Sequence, residues 1–331
     1  MGRIFAGTVI LVFVAVVALP ALVIGRAFGP GLLEPGQPGE IGNGPAIKVR
    51  VDPGGKVQSM ALEAYVKGVV AAEMPANFEP EALKAQAIVA RTLAVKKMRA
   101  FGGAGLEGDL GADVSTDPAK GQAWRSTEEL KKSWGWLNYP TYWAKISKAV
   151  SDTEGLVIVY DGLPIDAQFH STSAGPTENS EDVWSEKIPY LRSVPCDWDK
   201  ESPWYTSTAK LTLTEVEAKL PGTGALSVYA STGQRSAIEI VDRTPTGRAK
   251  TVRVGGKTMR ATDFRLALGL RSSKFTVTVQ NGEAVFQVRG YGHGVGLCQF
   301  GANGLANLGK KYQEIIQHYY TGVSIEKMSG S

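Results

Sequence analysis

The clearest periodic signal in the chain lies between Tyr65 and Met98. Val69-Val70-Ala71-Ala72 is an apolar run that ends at Glu73, and Pro75 stops it. Proline has no amide hydrogen and disfavours helix in the residue before it. The pattern predicts a helix that is apolar on nearly every side, with Glu73 in its last turn. Pro80 and Glu81 suit the start of a second helix. Leu83, Ala87, Ala90 and Ala94 then recur at spacings of four, three and four, which is one helical face made mostly of alanine. Small side chains on such a stripe let another backbone approach closely. Arg91 lies beside the stripe, where it either turns toward a shared cleft or serves the structure.

Elsewhere the alternation has a period of two. Ile47 to Val51 reads as a strand, Asp52-Pro53-Gly54-Gly55 as a turn, and Val57 as the start of a return strand. Leu156 to Tyr160, Asp161-Gly162 and Leu163 to Phe169 give the strongest hairpin signal, because Asp-Gly supplies the positive φ that a tight turn needs. Asn281-Gly282 and Gly255-Gly256 predict two more hairpins, over 275–288 and 251–260. A strand is expected over 237–241. Short helices are expected over 214–220, 261–270 and 312–320. Ser126 with Glu129 forms a capping box that opens a further helix.

The N-terminal pattern differs. Ile4 to Ile24 carries no charge, and at ~1.5 Å per residue it reaches about 31 Å, the thickness of a bilayer's hydrocarbon core. Arg3 precedes it, so the start is expected in the cytoplasm, although Arg26 beyond the run weakens that asymmetry. The run is long for a cleaved signal and no cleavage site follows, so an uncleaved single-pass anchor is expected. Gly29 to Pro45 is rich in glycine and proline and reads as a tether. The predicted organisation is a membrane anchor over 1–28, a linker over 29–45 and a domain over 46–331. The fold class is α+β: a single globular domain with antiparallel β hairpins around a helix pair, plus an N-terminal transmembrane helix.

Composition narrows the function. The chain has 331 residues, 21% of them charged, and a net charge of +4. That is compatible with anionic cell wall or lipid, but no basic run argues for nucleic acid. The only cysteines are Cys196 and Cys298, and the histidines are His170, His293 and His318. Two cysteines make neither a disulfide framework nor a cysteine-only zinc site. They are either one disulfide, if the domain lies outside the cytosol, or two free buried thiols.

Four stretches carry candidate chemistry. A carboxyl at Glu73, poorly solvated on an apolar helix, should have a raised pKa, which suits a general acid; the alternative is a helix-end glutamate that reaches water. His170-Ser171-Thr172-Ser173-Ala174-Gly175 follows the first hairpin as a loop of hydroxyls, fit either to bond a glycan or to cap its own backbone. Trp124, Trp134, Trp136, Tyr139, Tyr142 and Trp143 either stack on sugar rings or fill a core. Gly290-Tyr291-Gly292-His293-Gly294-Val295-Gly296 gives up strand stability, so its backbone should lie close to another chain or a ligand, with His293 in the gap. It is not a nucleotide-binding loop.

Ala-Ala-Glu-Met-Pro (71–75), Glu-Ala-Leu-Lys-Ala-Gln-Ala (81–87) and Ala-Arg-Thr (90–92) resemble the stage II sporulation protein D family, which includes the amidase enhancers. More specific is Gly-His-Gly-Val-Gly-x-x-Gln-x-Gly-Ala, from Gly292 through Gln299 to Ala302. Ile188 to Pro195 and Tyr319 to Val323 also fit, so the resemblance spans 47 to 325. It departs at Cys298, where the family usually has serine. The resemblance implies a lytic transglycosylase acting on peptidoglycan glycan strands that lack stem peptides, with Glu73 as catalytic residue at the helix pair. Arg91, His170, Ser171, Thr172, Ser173, His293 and Gln299 are the expected substrate contacts. Some members bind zinc through cysteines and a histidine after the helix pair. This chain has Ser115, Lys120 and Gly121 there, a poor ligand set, so no metal and no cofactor are expected. The implied setting is sporulation engulfment, with a companion amidase/endopeptidase and a membrane scaffold as partners. The enhancer branch implies a non-enzymatic glycan-binding alternative.

Overall fold

The computed structural model describes residues 44–224, 226 and 237–328. The predicted membrane span over 4–24 and nearly all of the tether lie outside these residues. Among the described residues no helix is long and apolar enough to cross a membrane.

The chain opens with an antiparallel pair, β1 (Ala46–Val51) and β2 (Lys56–Ala61). Two helices follow, α1 (Leu62–Glu73) and α2 (Pro80–Lys97). Both starts and stops obey the local signals: α1 ends one residue before Met74-Pro75, and Pro80 sits in the first turn of α2. Leu83, Ala87, Ala90 and Ala94 are all fully buried. The burial of α2 continues around most of its surface, so it is the central helix of the main core. A short strand β3 (Val114–Ser115) pairs in parallel with β1. The long helix α3 (Thr127–Ser151) starts with the expected Ser126–Glu129 capping box and kinks at Gly135. Its aromatic residues settle the sugar-or-core question for the most part. Tyr139 is buried and Trp134, Tyr142 and Trp143 pack against the core, whereas Trp136 stands out in solvent.

The Asp161-Gly162 hairpin joins β4 (Leu156–Tyr160) to β5 (Leu163–Pro164). The second strand is shorter than expected. Its continuation, β6 (Phe169–His170), leaves that sheet and pairs elsewhere. A short turn of helix, α4 (Ser180–Val183), follows. A second, smaller core is then built from β7 (Thr206–Thr212), α5 (Leu213–Lys219), β8 (Ile238–Arg243), β9 (Ala249–Val254), β10 (Lys257–Arg260), α6 (Ala261–Leu268), β11 (Phe275–Gln280) and β12 (Glu283–Arg289). Its two three-stranded sheets run β10-β9-β8 and β11-β12-β7, with Phe264, Phe275 and Phe286 in mutual contact between them.

The chain then returns to the main core. Strand β13 (Leu297–Cys298) pairs in parallel with β6, so Leu297 meets Phe169 and Cys298 meets His170. Helix α7 (Gln299–Asn307) starts immediately after it. Helix α8 (Tyr312–Tyr319) and strand β14 (Ser324–Lys327), paired with β4, complete the domain. The observed class is a mixed α+β domain with antiparallel hairpins around the α1–α2 pair.

Candidate active site

Glu73 is the last residue of α1 and is half-buried. Its Oε1 accepts the backbone amide of Ala123 at 2.7 Å. Burial pushes its pKa above the ordinary carboxylate value; the Ala123 amide and the Gln299 side chain act against that shift. No second carboxylate contributes, and among the described residues no salt bridge reaches Glu73. The carboxyl is therefore desolvated but not neutralised by a cation, which favours its protonated form.

The segment that brings Ala123 to Glu73 is held by α1 and α2. Gln122 Nε2 donates to the Ala90 carbonyl at 3.2 Å, and the Arg125 amide donates to the Gly68 carbonyl at 3.3 Å. Trp124 lies directly on the bare backbone of α1. A Cβ at Gly68 would sit 2.2 Å from its Nε1, so glycine is required there. Tyr65, two turns before Glu73 on α1, is fully buried. Its pKa is raised by burial, with Gln122 acting against that shift and the charge of Glu73 adding to it. Tyr65 Oη, Gln122 Oε1, Trp124 Nε1 and Gln299 Nε2 are buried without a well-formed hydrogen bond. Unpaired buried polar atoms each cost about 1–3 kcal/mol, so a concentration of them around one carboxyl marks a place shaped by something other than stability.

Gln299 arrives from the far end of the sequence. The β6–β13 ladder fixes its register, and the Phe300 amide donates to the Ser171 carbonyl at 3.1 Å. The Phe300 ring packs edge-on against Phe78, 4.9 Å between centroids, and Asn303 accepts the Glu79 amide at 2.8 Å. These contacts seat the start of α7 on the α1–α2 turn and place Gln299 beside Glu73.

Four expected substrate contacts are corrected. Arg91 is fully buried and turned away from any cleft. Its guanidinium grips Glu63 with two bonds of 2.7 and 2.6 Å and also donates to the carbonyls of Leu156 and Val150. It ties α1 and α2 to β4, a structural role. His170, Thr172 and Ser173 are also buried and committed to one another's loop. His170 Nδ1 donates to the Val295 carbonyl at 3.1 Å, and its Nε2 accepts from Ser173 Oγ at 2.6 Å. Thr172 Oγ1 bonds Ser202 Oγ at 2.6 Å. A buried ring with both nitrogens occupied stays neutral, and burial holds His170 well below its ordinary pKa. Ser171 alone of the three hydroxyl residues is half-exposed.

His293 is half-buried, and its Nδ1 accepts the Val295 amide at 3.1 Å, so the ring caps its own loop. Its neighbours are Trp184 and His170, at ring distances of 5.0 and 5.7 Å. Desolvation, with the nearby charges of Arg265 and Arg248, pushes it down to about 3. His293 thus sits among Trp184, His170 and the charges of Arg248 and Arg265. The glycines around it follow from close approach: at Gly294 a Cβ would fall 2.6 Å from the Arg248 guanidinium, and at Gly296 2.0 Å from the Gln168 carbonyl, both at positive φ.

That neighbourhood contains a second buried carboxyl, which the sequence did not single out. Glu178 Oε1 lies 3.2 Å from Arg248 Nε, with both side chains inaccessible. Burial raises Glu178 to about 7, with Arg248 acting against the shift. Also missed were Tyr65 and Gln122. Tyr65 had a signal, since it is a polar group on an otherwise apolar buried helix face. Gln122 sits in a loop with no periodicity to mark it.

A mixed α+β domain with a desolvated, cation-free carboxyl at the end of its first helix is the class that fold and site define. The stage II sporulation protein family profile matches residues 53–160, which include that carboxyl. Stage II sporulation protein D of Bacillus amyloliquefaciens is 41% identical over 280 residues, 82% of this chain and 76% of the relative. The protein of that name from Bacillus subtilis is 42% identical over 272 residues, with the same coverage. The amidase enhancer of Bacillus subtilis is 27% identical over 311 residues, 78% of this chain but 40% of that protein. The chain belongs to the stage II sporulation protein D family.

Proposed function

We propose that the protein is a lytic transglycosylase that cleaves peptidoglycan strands lacking stem peptides. The observation that carries this reading is Glu73: a carboxyl raised by burial, without a cationic partner, among buried polar groups that a polyhydroxyl ligand can satisfy. Protonated Glu73 gives its proton to the glycosidic oxygen between the muramoyl sugar and the next residue. The C1–O bond breaks and positive charge develops at C1. The carboxylate then removes the proton from the muramoyl 6-hydroxyl, whose oxygen closes onto C1. The product is a 1,6-anhydro sugar and Glu73 is protonated again. One carboxyl suffices for both transfers, whereas a hydrolase of the common type places a second acid within about 5–9.5 Å. Nothing that shifts Glu73 is a carboxylate.

The anchor over 4–24 would hold the domain at the outer face of the cell membrane, with the wall as substrate and a sporulation amidase/endopeptidase and its scaffold as partners. Digestion of stem-peptide-free glycan by the purified protein should yield anhydro ends by mass spectrometry. A Glu73→Gln variant that still cuts would remove Glu73 from the mechanism. The similarity to an amidase enhancer supports a second reading, a glycan-binding module that stimulates an amidase. Binding without anhydro product, together with faster amidase turnover, would select it.

A further inference from the structure

Cys196, Asp199 and Cys298 meet in the main core, although Asp199 and Cys298 are 99 positions apart in the chain. All three are completely buried, and one ligand atom from each lies within 4.8 Å of the others. Both thiols are free. Cys298 Sγ lies 3.5 Å from Asp199 Oδ2, and Tyr319 Oη lies 3.4 Å from Cys196 Sγ on a further side of the cluster.

Asp199 is the unusual member. Its Oδ2 accepts the amides of Ser173 and Ala174 at 2.7 and 2.8 Å, but its Oδ1 is buried with no partner. Among the described residues no salt bridge reaches it. The Cys298 thiol donates to Oδ2 and the charges of Arg248 and Lys274 act on the carboxylate, but Oδ1 is left without a donor. A divalent cation would give Oδ1 its partner. The donor set, two sulfurs and a carboxylate oxygen, is the borderline-soft combination that selects Zn²⁺ over Mg²⁺ or Ca²⁺. Glycine at 301 keeps the cluster compact: a Cβ there would fall 2.2 Å from Tyr319 Oη and 2.5 Å from Cys196 Sγ.

We propose that Cys196, Cys298 and Asp199 supply three ligands of a zinc site. On loading, both thiols release their protons to solvent and the free Oδ1 of Asp199 becomes the third ligand. This site is separate from the 115–121 segment. It ties together the chain at 196–199, the start of α7 and, through Oδ2, the 173–174 loop. The metal therefore braces the helix start that carries Gln299 to Glu73. A disulfide between the same cysteines would use the sulfurs, require an external oxidant and leave Asp199 Oδ1 without a partner.

The test is metal analysis of the full chain, purified under reducing conditions and refolded with Zn²⁺ or Co²⁺. One equivalent of metal, with a near-ultraviolet thiolate-to-cobalt charge-transfer band, is expected. Cys298→Ser should still fold, because a serine hydroxyl can take over the cap of α7 that the Cys298 side chain provides. It should lower occupancy at least tenfold and abolish the band. Asp199→Asn should weaken metal retention against a chelator, with the far-ultraviolet circular dichroism checking the fold. Three results would overturn the proposal: no band while both thiols titrate on denaturation, an intact mass lighter by two hydrogens, or metal binding that Cys298→Ser leaves unchanged.

Discussion

Glu73 and Glu178 are both glutamates with carboxyls raised by burial, and they lie in opposite kinds of surroundings. Glu178 is clamped to Arg248, which also donates to Ser272 Oγ and to the Ser173 carbonyl. Its charge, when present, is met by a fixed cation, and it serves the packing of the loop around His293. Glu73 has only one backbone amide and the edge of a glutamine, with unpaired polar groups around it. Burial alone does not make a general acid. What distinguishes Glu73 is that no cation is paired with it to hold its proton away.

The strongest way to break this comparison is to swap the two side chains for amides. Glu73→Gln should lower glycan cleavage by about 10²–10⁴-fold, the usual worth of a positioned acid, while retaining the Ala123 bond and the melting temperature. Glu178→Gln should leave anhydro-product formation within about threefold, because the ion pair is structural. Equal losses in both would show that the two carboxyls act together.

The next largest effect concerns the clamp itself. Arg248→Met strands a buried carboxylate and should cost about 3–5 kcal/mol in denaturant unfolding. A loss under 1 kcal/mol would mean that Glu178 is already neutral at the pH used.

Proton linkage gives a comparable, smaller number. Folding raises Glu178 from about 4.5 to about 7, so the folded state binds its proton more tightly. The stability this contributes is fully present below the unfolded value and is lost as pH rises through the folded one. His170 and His293 pull the other way below their ordinary value, since they are buried neutral. Both proteins share that contribution, so the difference between wild type and Glu178→Gln isolates the glutamate. Between pH 4.5 and 8 the wild type should lose on the order of 3 kcal/mol relative to the variant. A flat difference would refute the shift.

Arg91→Lys tests the corrected role of that residue. Loss of its two bonds to Glu63 should cost about 2 kcal/mol of stability and leave turnover of the folded fraction unchanged. A fall in turnover without a fall in stability would return Arg91 to the substrate. Tyr65→Phe is the finest probe. Removing an unpaired buried hydroxyl should not destabilise the fold. If the group waits for a sugar hydroxyl, cleavage falls about tenfold, one hydrogen bond's worth.

Local chemistry was legible wherever a few adjacent residues decide the outcome. Pro75 ended α1 at Glu73, Asp161-Gly162 and Asn281-Gly282 took positive φ in their hairpins, and Ser126 capped α3. Helix α7 was not legible. Gly301 and Gly304 argue against a helix, and both are present because the helix packs so closely: a Cβ at Gly304 would lie 2.3 Å from the Trp198 carbonyl. The hydroxyl loop reads equally as a glycan contact and as a cap of its own backbone, because sequence shows which groups can bond, and not which bonds are already made.

The sequence by itself determined the helix pair, the hairpins, the acid at the end of α1 and the family motifs, since turn and cap energetics act over four or five residues. Tertiary structure alone decided that Ala123 and Gln299 face that acid, that Arg91 and His170 turn inward, and that Cys196 and Cys298 share one core with Asp199. Those outcomes depend on strand register and on the packing of distant segments, where burial selects the partner of each polar group.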